Sequence, residues 1–302
     1  MLARAEIKPF EPDPGNAGVG RIDKSHTYAY YPPMQDITAN MKGGVMEAIV
    51  SNAIVHSYFK KLQDALSLDV VVVGGGPSGL VASESLAKKG FKVALFDSKL
   101  SPGGGMWGGA MMFNELVIQK EAWHILEEFN IKYTKISEDL ATADSIQATS
   151  SLIYHSSKAG VKVFNCISVE DVVFINNRVS GVVINWTPIG RLDMHVDPLM
   201  VRSKVVLDAT GHPSEIAKIT AQKNNIKLNT VTGMIMGEMS LSIDEGEKST
   251  IENTKEAYPG LYVSGMAANG VFGSFRMGPI FGGMLQSGKS AAESIAKELS
   301  NE

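Results

Sequence analysis

Four consecutive valines, Val70, Val71, Val72 and Val73, run directly into Gly74-x-Gly76-x-x-Gly79. A β-branched run of this kind reads as a strand buried on both faces. The glycines then require a tight turn, and the pattern beyond them predicts a helix over about 80–89. A second strand over 92–96 ends at Asp97, about 20 residues past the glycines, the place where a dinucleotide fingerprint carries its acid. Within this βαβ unit Gly74 makes the turn, Gly76 lets the backbone meet a pyrophosphate, and Gly79 lets helix pack on strand. The helix N-terminus adds amide donors and the positive end of its dipole. Asp97 is suited to accept hydrogen bonds from both ribose hydroxyls, which favours a ribose without a 2′-phosphate.

Glycine is abundant, 30 residues of 302, and clustered. A second cluster, Ser101-Pro102-Gly103-Gly104-Gly105-Met106-Trp107-Gly108-Gly109, follows the acid closely. Its open amides suit the far side of a diphosphate, and the embedded Trp107 favours a docked loop over a flexible linker.

Elsewhere the apolar stripe through Val45, Ile49, Ala53, Phe59, Leu62 and Leu66 predicts a helix, and further helices are expected near 119–129, 145–159 and 284–298. Strands are expected over 161–165, 169–175, 178–186 and 204–210, with Asn176-Asn177 as a hairpin turn. The fold expected is α/β: a doubly wound, Rossmann-like sheet with a β-meander inserted in its middle, occupying residues 42–302. Residues 1–41 hold five of the twelve prolines and three of the eight tyrosines without a sustained period. They are expected to form an extended N-terminal arm lying on a surface, with a disordered terminus as the alternative.

Composition excludes several classes. Lys and Arg number 28 against 32 Asp and Glu, a net charge of -4, and no basic cluster marks a nucleic acid or an anionic membrane as partner. No apolar run approaches the roughly 18 residues of a membrane span. The single cysteine, Cys166, rules out an intrachain disulfide and a multi-cysteine metal site. With Arg4, Glu6 and Lys8 breaking any early apolar stretch, a cytoplasmic location is expected.

The opening βαβ, Ala209-Thr210-Gly211 and Pro259-Gly260-Leu261-Tyr262-Val263-Ser264-Gly265 together resemble the flavoproteins with a glutathione-reductase-like, FAD/NAD(P)-binding fold. In those enzymes the late motif ends in an Asp that binds the ribityl chain. Met266 stands in its place here, and a thioether cannot accept as a carboxylate does, which weighs against FAD.

A narrower resemblance accounts for the methionine. Gly-Gly-Gly-Met-Trp-Gly-Gly at 103–109, Met194-His195-Val196-Asp197-Pro198, Ala-Thr-Gly-His at 209–212 and Arg-Met-Gly-Pro-Ile-Phe-Gly-Gly-Met at 276–284 resemble the thiamine thiazole synthase family. The resemblance implies that NAD is consumed as a substrate, together with glycine and a sulfur source, to make the thiazole precursor of thiamin. Some members carry a sulfur-donating cysteine two residues before the Asp of the Asp-Pro pair. His195 occupies that position here, so the chain resembles the archaeal-type members that use free sulfide with ferrous iron.

The resemblance further implies Asp197 and His212 as the iron ligands, the histidine reaching across from an adjacent subunit, and a homo-octamer. Imidazole and carboxylate donors suit ferrous iron. His195 is left with two roles, a third metal contact or a proton transfer. Gly74, Gly76, Ser78, Gly79, Asp97, Ser98, Gly105, Val169, His195 and Met266 are implied to bind NAD, and Arg276, Met277 and Gly278 the glycine. A guanidinium amid Gly, Phe and Met suits bidentate pairing with a small carboxylate. An FAD-dependent oxidoreductase, a ribose-bisphosphate isomerase and a non-catalytic NAD-binding regulator are the rival expectations. None explains His195, Asp197, His212 and Arg276 together.

Overall fold

The structure, a computed structural model, describes residues 46–109 and 111–301; the arm expected over 1–41 lies outside them. The chain divides into two units, 1–56 and 57–302. Of the first, the described part is the opening of helix α1 (Met46–Gln63), where Val50, Ile54 and Val55 are exposed. The apolar stripe expected here is helical, but Leu62 is the one residue of the helix that is fully buried.

The second unit opens with β1 (Ser67–Val73), α2 (Pro77–Lys88) and β2 (Val93–Asp97), the βαβ that the glycine motif predicts. Pro77 starts α2, where its missing N–H costs nothing. Next come β3 (Glu115–Gln119), α3 (Trp123–Glu128), β4 (Thr134–Lys135), β5 (Leu140–Asp144) and α4 (Ser145–Lys158). The helix expected near 119–129 is present, opening as a 3-10 turn at Lys120–Ala122 and continuing as α3 to Glu128. Just before it, Leu116 and Ile118 alternate with less buried residues and pair with β5, giving a three-stranded antiparallel sheet, β3-β5-β4, that the sequence reading did not foresee.

Strands β6 (Lys162–Asn165), β7 (Ile167–Ile175) and β8 (Arg178–Trp186) lead through the short helix α5 (Thr187–Arg191) to β9 (Leu199–Asp208). Strand β9 begins earlier than expected because its first residues pair antiparallel with β8, closing the meander, while its later residues pair parallel with β1. Helix α6 (Glu215–Asn224), β10 (Met239–Leu241), α7 (Ile243–Glu252), β11 (Glu256–Tyr258), β12 (Leu261–Val263), α8 (Met266–Phe272), β13 (Phe275–Arg276) and α9 (Gly282–Ser300) complete the unit.

The main sheet runs β11-β12-β9-β1-β2-β6, with β8 and β7 attached through β9. Its two faces bury separate cores. Val70 and Val72 of β1 pack with Leu80, Leu86, Leu152 and Ile295, whereas Val71 and Val73 pack with Phe96, Ile216 and Val263. Alternate strand residues thus face helices on one side and the meander with α6 and α8 on the other, the layering expected of a doubly wound sheet. Because β12, β9, β1 and β2 are mutually parallel, their carboxyl ends open at one edge, where ligands bind in open α/β sheets. Among the described residues no helix is long and apolar enough to cross a membrane.

Candidate active site

A cleft of about 1340 Å³ lies at those carboxyl ends. Its floor is the turn between β1 and α2. Gly74 has φ +101, and a Cβ there would stand 2.3 Å from the carbonyl oxygen of Ala209, so β9 passes too close for any side chain. At Gly79 a Cβ would stand 2.1 Å from the oxygen of Gly74, which is the close helix–strand packing foreseen for the third glycine. Gly76 has open space on its Cβ side and borders the cleft.

The second glycine cluster docks against the first. Gly103 N donates to Gly75 O at 2.6 Å, and the Trp107 indole donates to Pro102 O at 2.7 Å. Residues 104–108 coil into a short 3-10 helix whose Gly104 and Gly105 line the cleft. Asp97, at the end of β2, is buried and holds both loops' surroundings. Its Oδ2 accepts from Gly75 N and its Oδ1 from Lys99 N, each at 2.7 Å. The ribose reading of this acid is compatible with these bonds, since a carboxylate offers about four acceptor sites.

Across the cleft, Asp208 ends β9 and is fully buried. It accepts from Thr210 N and Thr210 Oγ1, and from the first amides of α6 at Ile216 and Ala217. Burial pushes its carboxyl up, and these bonds draw it back. The result is a pinned turn, Ala209-Thr210-Gly211-His212. The His212 ring lines the cleft and its Nδ1 lies 2.7 and 2.8 Å from the two carboxylate oxygens of Glu238.

Arg276 lies on β13, which pairs with β10 so that Leu241 faces Arg276. Its side chain lines the cleft, and its guanidinium has no hydrogen bond or ion pair among the described residues. Met266 and Met277 are buried in a small apolar cluster with Ile280 beneath it. The end of this loop is fixed by Glu247 of α7, whose Oε2 accepts from Gly283 N at 2.6 Å at the start of α9. Burial pushes Glu247 up to about 7.

The structure therefore brings Gly74, Gly76, Ser78, Asp97, Ser98, Gly105, Val169, His212, Met266, Arg276, Met277 and Gly278 to one cleft. Gly79 sits behind it as a packing residue. His195 and Asp197 are not brought there. They lie in the exposed 192–198 segment, held by a bond from Asn185 Nδ2 to Val196 O at 3.2 Å. Among the described residues, no group of three or more His, Cys, Asp and Glu within one chain is arranged to hold a metal. Sequence reasoning missed Glu238, Glu247 and Asp208. Glu238 sits in a loop stretch, and Glu247 on α7, an amphipathic segment that the sequence reading did not single out, though an acid closing β9 just before Ala-Thr-Gly was visible as a polar residue in an apolar run.

A family model described as the Thi4 family matches residues 51–281. The chain belongs to the Thi4 family. It is 52% identical over 253 residues to the thiamine thiazole synthase of Desulfosudis oleivorans, covering 84% of this chain and 98% of that protein. It is 51% identical over 250 residues to the thiamine thiazole synthase of Methanothermobacter thermautotrophicus, covering 83% and 97%. Among solved structures it is similar to Thermovibrio ammonificans THI4, with 49% identity, a TM-score of 0.83, and coverage of 85% of this chain and 100% of that one. The chain is an enzyme of thiazole synthesis.

Proposed function

We propose that this enzyme makes an adenylated thiazole carboxylate, the thiamin precursor, from NAD, glycine and free sulfide, with ferrous iron, in the cytoplasm. One observation carries the reading: the dinucleotide turn, His212 and Arg276 share a single cleft. NAD lies with its pyrophosphate on the amides following Gly74 and Gly76, between the two docked glycine loops, and its ribose against Asp97 and Ser98. Ser78, Gly105, Val169 and Met266 complete its contacts within the cleft, and His195, which does not line it in one chain, is proposed to reach NAD from an adjacent subunit.

Loss of nicotinamide exposes the ribose C1 as an aldehyde equivalent, and isomerisation to a ketose allows glycine to condense as an imine. Arg276 holds the glycine carboxylate in a bidentate pair, with Met277 and Gly278 beside it, so that the amine meets the carbonyl in a fixed orientation. Sulfide addition and cyclisation with loss of water follow.

Asp197 and His212 would hold the iron. The donor set fits: His212 Nδ1 faces a carboxylate, as it does in histidines that ligate metals through the other nitrogen. Ferrous iron supplies Lewis acidity and affinity for hydrosulfide when bound. His195 adds a third contact or moves a proton. Because Asp197 does not line the cleft of one chain, a homo-octamer is proposed to bring it to His212 of an adjacent subunit.

The test is anaerobic incubation of the protein with ferrous iron, NAD, glycine and sulfide. More than one product per chain, abolished by a chelator, is expected. Less than one product per chain, or turnover indifferent to chelation, counts against the proposal.

A further inference from the structure

Glu238, which meets His212 Nδ1 at 2.7 and 2.8 Å, belongs to a segment held along its length. Met236 N donates to Val271 O at 3.1 Å and Gly237 N to Gly270 O at 2.9 Å. Met239 N donates to Ser274 O at 2.8 Å and Ser242 N to Arg276 O at 3.0 Å. Residues 236–242 therefore form a strap laid along α8 and β13, with Glu238 at its middle. The Glu238 side chain is only 19% exposed, against 49% for His212.

We infer that Glu238 is a positioning residue that fixes the His212 ring for metal ligation. This rests on the reading of His212 as a ligand. A carboxylate only accepts, so Nδ1 must carry the hydrogen it shares with Glu238. In the neutral ring that leaves the Nε2 lone pair as the one available to a metal, and it fixes the ring plane. Without Glu238 the exposed ring is free to rotate and to change tautomer, and each ferrous ion bound must first order it. The same strap hydrogen-bonds the strand of Arg276, so the ring is held in the frame that also places the glycine-binding guanidinium.

The experiment titrates ferrous iron anaerobically into the assembled full-length protein, in competition with a chromogenic chelator. It compares wild type, H212A, E238A and E238Q. Loss of binding is expected in H212A and a weakening of about 10–100-fold in E238A. E238Q should recover part of that loss, because its amide oxygen still accepts from Nδ1. NAD affinity and the melting temperature of the metal-free protein should stay at wild-type values in E238Q. Equal iron affinity in wild type and H212A overturns the ligand assignment and this inference with it. Loss in H212A with E238A and E238Q both within two-fold of wild type overturns the inference alone. If E238A does not assemble, E238L, which likewise offers Nδ1 no acceptor, takes its place under the same two-fold criterion.

Discussion

The Asp97 carboxylate accepts the amide of Gly75 across the mouth of the dinucleotide turn, Oδ2 to N at 2.7 Å, and the amide of Lys99 with its other oxygen. The acid at the end of β2 therefore holds the first glycine loop in shape as well as facing the cleft. Removing it should cost twice, once in the shape of the loop and once in the ribose contact.

Asp97→Ala is expected to weaken NAD binding by about 30-fold or more, since hydrogen bonds to a charged group contribute about 1.5–3 kcal/mol each. Asp97→Asn should lose less, because the amide oxygen still accepts from one backbone amide. Trp107, docked in the neighbouring loop, gives a fluorescence readout for the titration. Hydrogen exchange at the Gly75 amide should quicken in Asp97→Ala. Binding within two-fold of wild type would show that the carboxylate serves the loop without touching the nucleotide.

Two glycines of the motif, Gly79 and Gly76, should differ sharply in tolerance. At Gly79 an added methyl meets the backbone oxygen of Gly74 at 2.1 Å, and neither main chain can yield. Gly79→Ala should destabilise the protein by about 1–3 kcal/mol or more, by the overpacking of a close contact, read as a lowered urea midpoint. At Gly76 the methyl meets nothing within 4 Å. Gly76→Ala should therefore fold normally while losing NAD affinity, because the methyl stands where a phosphate must approach. Equal stability losses at the two positions would contradict this division of labour.

The contrast also explains what the sequence made legible. The valine run, the glycine spacing and Asp97 are local signals, and the strand, turn and helix they predict are all present. Strand β3 was less legible, because Leu116 and Ile118 alternate over too few residues to compete with the helical pattern of α3 beside them. Glu238 was not legible at all. Its partner His212 lies 26 residues away, and only the folded strap brings the two together. Asp197 does not line the cleft of one chain, and spacing along the sequence did not show this; only the family resemblance implied that an adjacent subunit takes part.

Glu247 gives the stability of the protein a pH dependence of predictable sign. Burial pushes its carboxyl up to about 7 from the ordinary 4.5, with the bonds from Gly283 and Gln119 opposing and Glu121 adding to the rise. The folded state thus holds a proton that the unfolded chain releases earlier. Its stability is fully present below about 4.5 and declines as the pH rises to about 7, by about 3 kcal/mol. Glu247→Gln should remove this slope, since the amide never ionises. The measurement is the difference in unfolding free energy between wild type and Glu247→Gln, followed by urea denaturation from pH 5 to pH 8. A difference that stays constant across this range would show that Glu247 remains charged in the fold.

Cys166 separates the two ways a chain of this family could obtain sulfur. It stands between β6 and β7 with φ +56, its N–H donating to Lys99 O at 3.1 Å and its carbonyl accepting from Thr187 N at 2.9 Å. Those backbone bonds account for its place in the fold, and its thiol does not line the cleft. Cys166→Ala should keep sulfide-dependent turnover within two-fold of wild type, because every sulfur atom in the product comes from solution. Without added sulfide, wild type should form no product, and mass spectrometry should find no chain that has lost the elements of hydrogen sulfide. If Cys166→Ala instead abolishes product, or if wild type makes one product per chain without sulfide while losing that mass, the sulfur comes from the protein. Free sulfide as co-substrate would then have to be given up, although the cleft, its glycine loops and Arg276 would keep their roles.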